Sequence, residues 1–104
     1  MIRKAFLMSV NSDAHDEYEK RHQPIWDDLA GVLKHHGVAN YSIFLDEETS
    51  QLFGYAEVES EELWNTIAAT KECRLWWAYM RDIMLTNDDD SPVSRELKEV
   101  FHLD

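Results

Sequence analysis

The sequence is short of cysteine, glycine and positive charge, and each shortage excludes something. Cys73 is the only cysteine among 104 residues, so no internal disulfide forms and a disulfide-framed secreted scaffold is excluded. Its aromatic, helix-patterned neighbours point to a buried, inert thiol rather than a nucleophile. Three glycines do not compose a phosphate-cradling loop, and neither a P-loop, a G-x-G-x-x-G run nor a G-x-S-x-G elbow is present. No apolar run approaches membrane-spanning length. Met1–Met8 runs into Asn11-Ser12-Asp13 without a small-residue cleavage site and reads as a first strand, not an export signal. The expected compartment is the cytoplasm. Ten Lys and Arg against 21 Asp and Glu leave a formal charge of −11. That field repels phosphate backbones and anionic membranes, which predicts no nucleic-acid and no membrane partner. It is indifferent to a neutral ligand and keeps the chain soluble.

A metal centre is not expected either. His15, His22, His35, His36 and His102 contain no i,i+4 pair, and the adjacent His35 and His36 point about 100° apart on a helix. The acidic stretch Asn87–Pro92 lacks the spaced ligands and central glycine of a calcium loop. It reads as a solvated turn.

What is present is an ordinary globular balance, 44% apolar and 30% charged, in a length that suits one domain, 1–104. Ile2–Val10 predicts an interior strand. Ile2, Phe6, Met8 and Val10 share one face and Ala5 and Leu7 the other. A helical region follows from about Asp13 to His36, with cap chemistry in Asn11-Ser12-Asp13 and apolar stripe positions Tyr18, His22, Ile25, Leu29, Val32 and His36. Pro24 predicts a kink or a restart there, with the Lys20 carbonyl losing its usual partner. Gly37 fits the C′ position. Asn40–Asp46 and Gln51–Val58 predict an antiparallel pair across a charged turn, with Gly54 marking a bulge or a close approach. Ser60 opens a second helical region through Met84, divided near Thr70-Lys71. A last strand is expected near Lys98–Leu103. The order strand, helix, strand, strand, helix, strand is the ferredoxin-like split βαββαβ pattern, an antiparallel four-stranded sheet with helices on one face. The uncovered face carries Leu7 and Phe44, so a homodimer is expected, sheet face to sheet face, closing a dimeric α+β barrel.

One stretch carries chemistry. Tyr18 and His22 stand one turn apart on the apolar side of the first helical region, where i and i+4 side chains meet. Imidazole exchanges protons near neutral pH, phenol supplies a directional hydrogen bond, and the Trp76-Trp77 indoles offer flat apolar walls against which sugar C–H faces lie. The bland reading of the same stripe is packed core.

The residues Lys4-Ala5-Phe6, Asp16-Glu17-Tyr18 through Arg21-His22, Pro24-Ile25-Trp26, Asn40-Tyr41, Trp76-Trp77 with Tyr79-Met80, and Ser91-Pro92-Val93 before Leu97 and Val100-Phe101 are similar to those of the L-rhamnose mutarotase family. The resemblance spans nearly the whole chain. It implies a dimeric α+β barrel that interconverts the α and β anomers of L-rhamnose without metal, nucleotide or organic cofactor. His22 matches the family's proton donor, and Tyr18, Tyr41, Trp76 and Trp77 match its sugar-binding positions. Gly54-Tyr55 departs from the pattern, and a Tyr55 reaching the pocket would alter sugar preference. The base is open among a water, a tyrosine and an acidic side chain. Two other classes stand beside this reading: a cofactor-independent monooxygenase on the same kind of barrel, and a non-catalytic sugar-binding module.

Overall fold

A computed structural model describes residues 1–104. Four antiparallel strands form one sheet in the order β2-β3-β1-β4, with β1 at Ile2–Ser9, β2 at Val38–Asp46, β3 at Gln51–Val58 and β4 at Arg95–Leu97. Four helices join them: α1 (His15–Arg21), α2 (Asp27–His35), α3 (Glu61–Thr66) and α4 (Lys71–Met80), with a 3₁₀ turn at Ile67–Ala69 between the last two. The strand alternation decides what is buried. Phe6 and Met8 of β1 and Leu52, Ala56 and Val58 of β3 turn toward the helices, where they meet Leu29, Trp76, Met80, Ile67 and Cys73. Leu33 and Trp77 pack against both parts of this core.

The close approach expected at Gly54 is that of Phe6. The two residues pair across β1 and β3, and the Phe6 ring lies where a Cβ on Gly54 would stand. Ser60 caps α3 by accepting the Leu63 N–H at 3.1 Å, and Thr70 starts α4 by accepting that of Cys73 at 3.3 Å. Gly37 ends α2 at φ +79°. His36 Nδ1 donates to the Val32 carbonyl there at 2.7 Å.

Three expectations are corrected and one is met. The first helical region is two helices, α1 and α2, separated by residues 22–26 with a cis Gln23-Pro24 bond; the restart, not the kink, is what Pro24 produces. As expected, the Lys20 carbonyl loses its usual partner four residues on, where Pro24 has no N–H; the Gln23 N–H turns back to it instead, at 3.3 Å. The cap of α1 is Ala14, whose methyl group can accept no hydrogen bond; the Ala14 N–H closes the preceding turn on the Asn11 carbonyl at 3.0 Å. The last strand lies earlier than Lys98–Leu103: only Arg95–Leu97 reaches the free edge of β1 at Ala5–Leu7, and Val100, 87% exposed, Phe101 and Leu103 extend past it.

The inward face of β1 also holds a residue that the apolar pattern passed over. Lys4 is 7% exposed, while Ile2 is solvent-exposed. Burial opposes the Lys4 charge, but hydrogen bonds to Glu96 at 2.8 Å and Glu61 at 2.9 Å outweigh it and raise its pKa. The bonds tie the start of α3 and the strand β4 to the centre of the sheet. On the outward face, Phe44 of β2 pairs with Phe53 of β3, and Phe44 is 66% exposed.

Candidate active site

Seven-residue α1 brings Tyr18 and His22 to one cavity. Tyr18 is the helix's one buried residue, and His22 is its C-cap residue. The His22 ring stacks on Tyr18, with centroids 4.3 Å apart and planes 30° apart, and meets Trp76 edge-on at 5.2 Å and 86°. Its Nδ1 lies 2.7 Å from the Tyr18 carbonyl oxygen. A carbonyl only accepts, so Nδ1 carries the hydrogen and Nε2 is the nitrogen left for chemistry. Burial lowers the His22 pKa below the ordinary imidazole value, and the bond to the Tyr18 carbonyl offsets part of that shift. At neutral pH the ring is therefore mostly neutral, with a lone pair on Nε2.

The cavity encloses about 770 Å³ and is lined mainly by apolar and aromatic side chains, a size and character usual for small-molecule sites. Tyr18, His22, Tyr41, Trp76 and Trp77 all line it. Tyr41 comes from β2, opposite α1, and stands between Phe6 at 6.1 Å and Trp64 at 6.1 Å. It is 37% exposed, yet its hydroxyl end lies among protein atoms, where desolvation raises its pKa. Burial, then the nearby Tyr41 hydroxyl, raises that of Tyr18. Both phenols therefore keep their protons at neutral pH, which removes tyrosine from the candidates for the base. The Tyr18 hydroxyl is not a sealed, unsatisfied group; it opens to the cavity. Cys73 also lines the space, and burial pushes its thiol up to about 11. It stays protonated and unreactive, as its surroundings in the sequence predict.

Several lining residues carry no signal of their own in the sequence. Phe6 and Trp64 read as core, and both bracket Tyr41. Trp26, which widens the helical stripe in the sequence, does not line the cavity; it stands edge-on to Trp76 at 5.1 Å. The charged lining groups are carboxylates, Glu19, Glu47 and Asp90, with no Lys or Arg among them. Such a lining suits a neutral ligand and disfavours an anion. Tyr55 is absent from the cavity. It points outward with the alternate residues of β3 and donates to Glu57 at 2.9 Å, so Tyr55 leaves the pocket wall unchanged, whereas Gly54 shapes it by making room for the Phe6 ring.

The frame and the cavity together define a ferredoxin-like α+β protein with a histidine set in an aromatic-lined cavity. Solved structures share that frame. A putative antibiotic biosynthesis monooxygenase from Nitrosomonas europaea superimposes with a TM-score of 0.64 at 10% identity, over 91% of this chain and 84% of that one; this likeness is one of fold alone. An L-rhamnose mutarotase from Formosa agariphila superimposes with a TM-score of 0.92 at 40% identity over the whole of both chains. The L-rhamnose mutarotase family profile matches residues 3–103. An L-rhamnose mutarotase from Tolumonas auensis is 63% identical over 103 residues, covering 99% of each chain, and one from Salmonella typhi is 59% identical with the same coverage. The chain belongs to the L-rhamnose mutarotase family.

Proposed function

We propose that this protein is an isomerase that interconverts the α and β anomers of L-rhamnose in the cytoplasm, as a homodimer, with His22 moving the proton and Tyr18, Tyr41, Trp76 and Trp77 holding the sugar. The observation that carries the chemistry is the hydrogen bond from His22 Nδ1 to the Tyr18 carbonyl, which leaves Nε2 as the one free nitrogen of a residue on the wall of a largely apolar cavity. Anomers exchange when the hemiacetal opens, turns about C1–C2 and recloses. Neutral Nε2 takes the proton of the anomeric hydroxyl. The O1–C1 bond becomes a carbonyl as the C1–O5 bond breaks, and its electron pair stays on the ring oxygen. Nε2 then returns the proton to that oxygen. O1 and O5 share one carbon, so a single nitrogen serves both after a small shift. The donation to the ring oxygen is the role that the resemblance implies for His22; the acceptance before it follows from the neutral ring. Positioned acid–base help of this kind is worth about 10²–10⁴-fold.

Tyr18 and Tyr41 donate hydrogen bonds to sugar oxygens, and the indoles of Trp76 and Trp77 present flat faces to its C–H side. The apolar lining suits the methyl group of a 6-deoxy sugar. The homodimer draws support from the outward face. Phe44 and Phe53, paired across β2 and β3, expose apolar surface there, of a kind that monomers rarely leave wet.

Exchange-sensitive proton NMR of L-rhamnose tests the reading. Catalytic amounts of protein are expected to speed exchange between the two anomeric signals, and His22→Ala to lose about 10²-fold or more of that effect. No acceleration by the wild-type protein, or full acceleration by a folded His22→Ala, refutes it. Tryptophan quenching by the sugar without faster exchange would identify a binding module instead.

A further inference from the structure

We propose that Arg21 is a positioning residue for His22, a latch that fixes the end of α1 against the helix bearing Trp76 and Trp77. The inference rests on the mutarotase reading for its kinetic part, and on geometry for the rest. Helix α1 carries Tyr18 and His22 yet is only seven residues long, and Tyr18 is its single buried residue. Its chain then leaves through Gln23-Pro24 without helical continuation. A second anchor is needed to hold the imidazole in register, and Arg21, the residue before it, supplies one.

The Arg21 side chain is 12% exposed and uses most of its donors. Nε donates to Glu17 Oε2 at 2.7 Å within α1. Nη1 donates to the Tyr79 carbonyl at 2.8 Å, in the last turn of α4, where a cation also meets the negative end of the helix dipole. Nη1 and Nη2 pair with Asp82 Oδ1 and Oδ2 at 2.9 and 3.2 Å, a bidentate fork that fixes orientation as well as distance. The guanidinium lies 4.6 Å from the centre of the Tyr79 ring. Tyr79 in turn packs on Trp76 at 5.6 Å and Trp26 at 5.1 Å. A closed ring of contacts thus runs from His22 to Trp76, to Tyr79, to Arg21 and back through the chain.

The far post of the latch is firm. Asn11 Nδ2 donates to the Asp82 carbonyl at 3.1 Å, the Asn11 N–H to that of Ile83 at 2.8 Å, and the Leu85 N–H to that of Ser9 at 3.2 Å. These bonds tie residues 82–85 to the end of β1. Arg21 touches no part of the cavity wall, so it acts through His22 and not on the sugar. Its other surface partners do not explain the arrangement: a solvent-exposed ion pair needs neither a backbone carbonyl nor an aromatic face.

The test compares Arg21→Ala, Arg21→Lys and Asp82→Asn with Arg74→Ala, which removes the same charge from the exposed face of α4. Anomer-exchange NMR gives kcat and KM, and imidazole NMR reports the His22 Nδ1–H signal without need of activity. Misplacing a reacting group by about 1 Å costs about 10²-fold, so Arg21→Ala is expected to lower kcat about 10- to 100-fold with KM changed less than about threefold, and to shift the His22 signal. Arg21→Lys recovers part of kcat, because one ammonium reaches Asp82 but not the Tyr79 carbonyl and Glu17 as well. Arg74→Ala behaves as wild type. A folded Arg21→Ala with wild-type kcat, or with an unmoved His22 signal, overturns the proposal. Where Arg21→Ala does not fold, Asp82→Asn decides: a lowered kcat with a shifted His22 signal supports the latch, and wild-type values overturn it. Were the wild-type protein itself to leave anomer exchange unchanged, the functional reading would fall, while the His22 signal in the variants would still decide on the latch.

Discussion

Replacing Tyr18 by Phe separates fold from function at a single oxygen. The Tyr18 residue is 8% exposed, and its ring supports the stack on His22, which Phe preserves. The hydroxyl takes part in no hydrogen bond that would lower or raise its pKa; desolvation and the nearby Tyr41 hydroxyl account for its shift. Removing it therefore breaks no bond inside the protein. It relieves the partial burial of a polar group, so stability holds or rises, by no more than about 1 kcal/mol. The sugar, by contrast, loses one neutral hydrogen bond, worth about 0.5–1.5 kcal/mol. That converts to a rise of about 2- to 13-fold in KM, with kcat altered less because the imidazole keeps its place. Tyr18→Phe is measured by thermal unfolding and by NMR anomer exchange across a range of L-rhamnose concentrations. A variant that unfolds several degrees earlier while keeping the wild-type KM refutes the reasoning, since the hydroxyl would then be part of the core and not of the sugar site.

The remaining predictions concern charge and assembly. Because burial lowers the His22 pKa, the unfolded chain binds more protons below the ordinary imidazole value of about 6.5. The His22 contribution to stability is therefore complete above that pH and falls as pH drops through the lowered value. His22→Ala should flatten this part of the stability-against-pH curve measured by denaturant titration. Catalysis by the neutral ring should follow the same sense, with kcat/KM rising through the acid limb to a plateau at neutral pH; a rate that falls as pH rises from 5 to 7 would show that the protonated ring is the resting catalyst instead. Phe44→Asp puts a charge on the apolar outward face and is expected to shift the assembly from dimer to monomer in sedimentation at micromolar concentration; an undisturbed dimer would place the interface elsewhere.

What the sequence disclosed, and what it withheld, divides by the range of the interactions. Period-two and helical spacing found β2, β3 and the α3–α4 division almost to the residue, because Ser60 and Thr70 act on N–H groups three residues away. Tyr18 and His22 were legible for the same reason, being one turn apart on one helix. The last strand was not: Val100, Phe101 and Leu103 have strand-like composition, but pairing is decided by which residues reach the edge of β1, and Arg95–Leu97 reach it first. Lys4 was illegible in another way. A lysine on an inward face becomes tolerable only when Glu61 and Glu96, far along the chain, arrive to pair with it. The same holds for the wall behind Tyr41. Phe6 and Trp64 look like core because they are core, and they serve the site by virtue of that rigidity. A small domain has little apolar surface to spare, so here the same aromatic side chains pack the interior and line the cavity. For this reason aromatic spacing alone could not separate a core from a cavity wall. The tie of an imidazole Nδ1 to the carbonyl four residues back does not separate them either, since His36 makes the same bond to Val32 away from the cavity; what sets His22 apart is its place on the wall, stacked on Tyr18 and against the edge of Trp76.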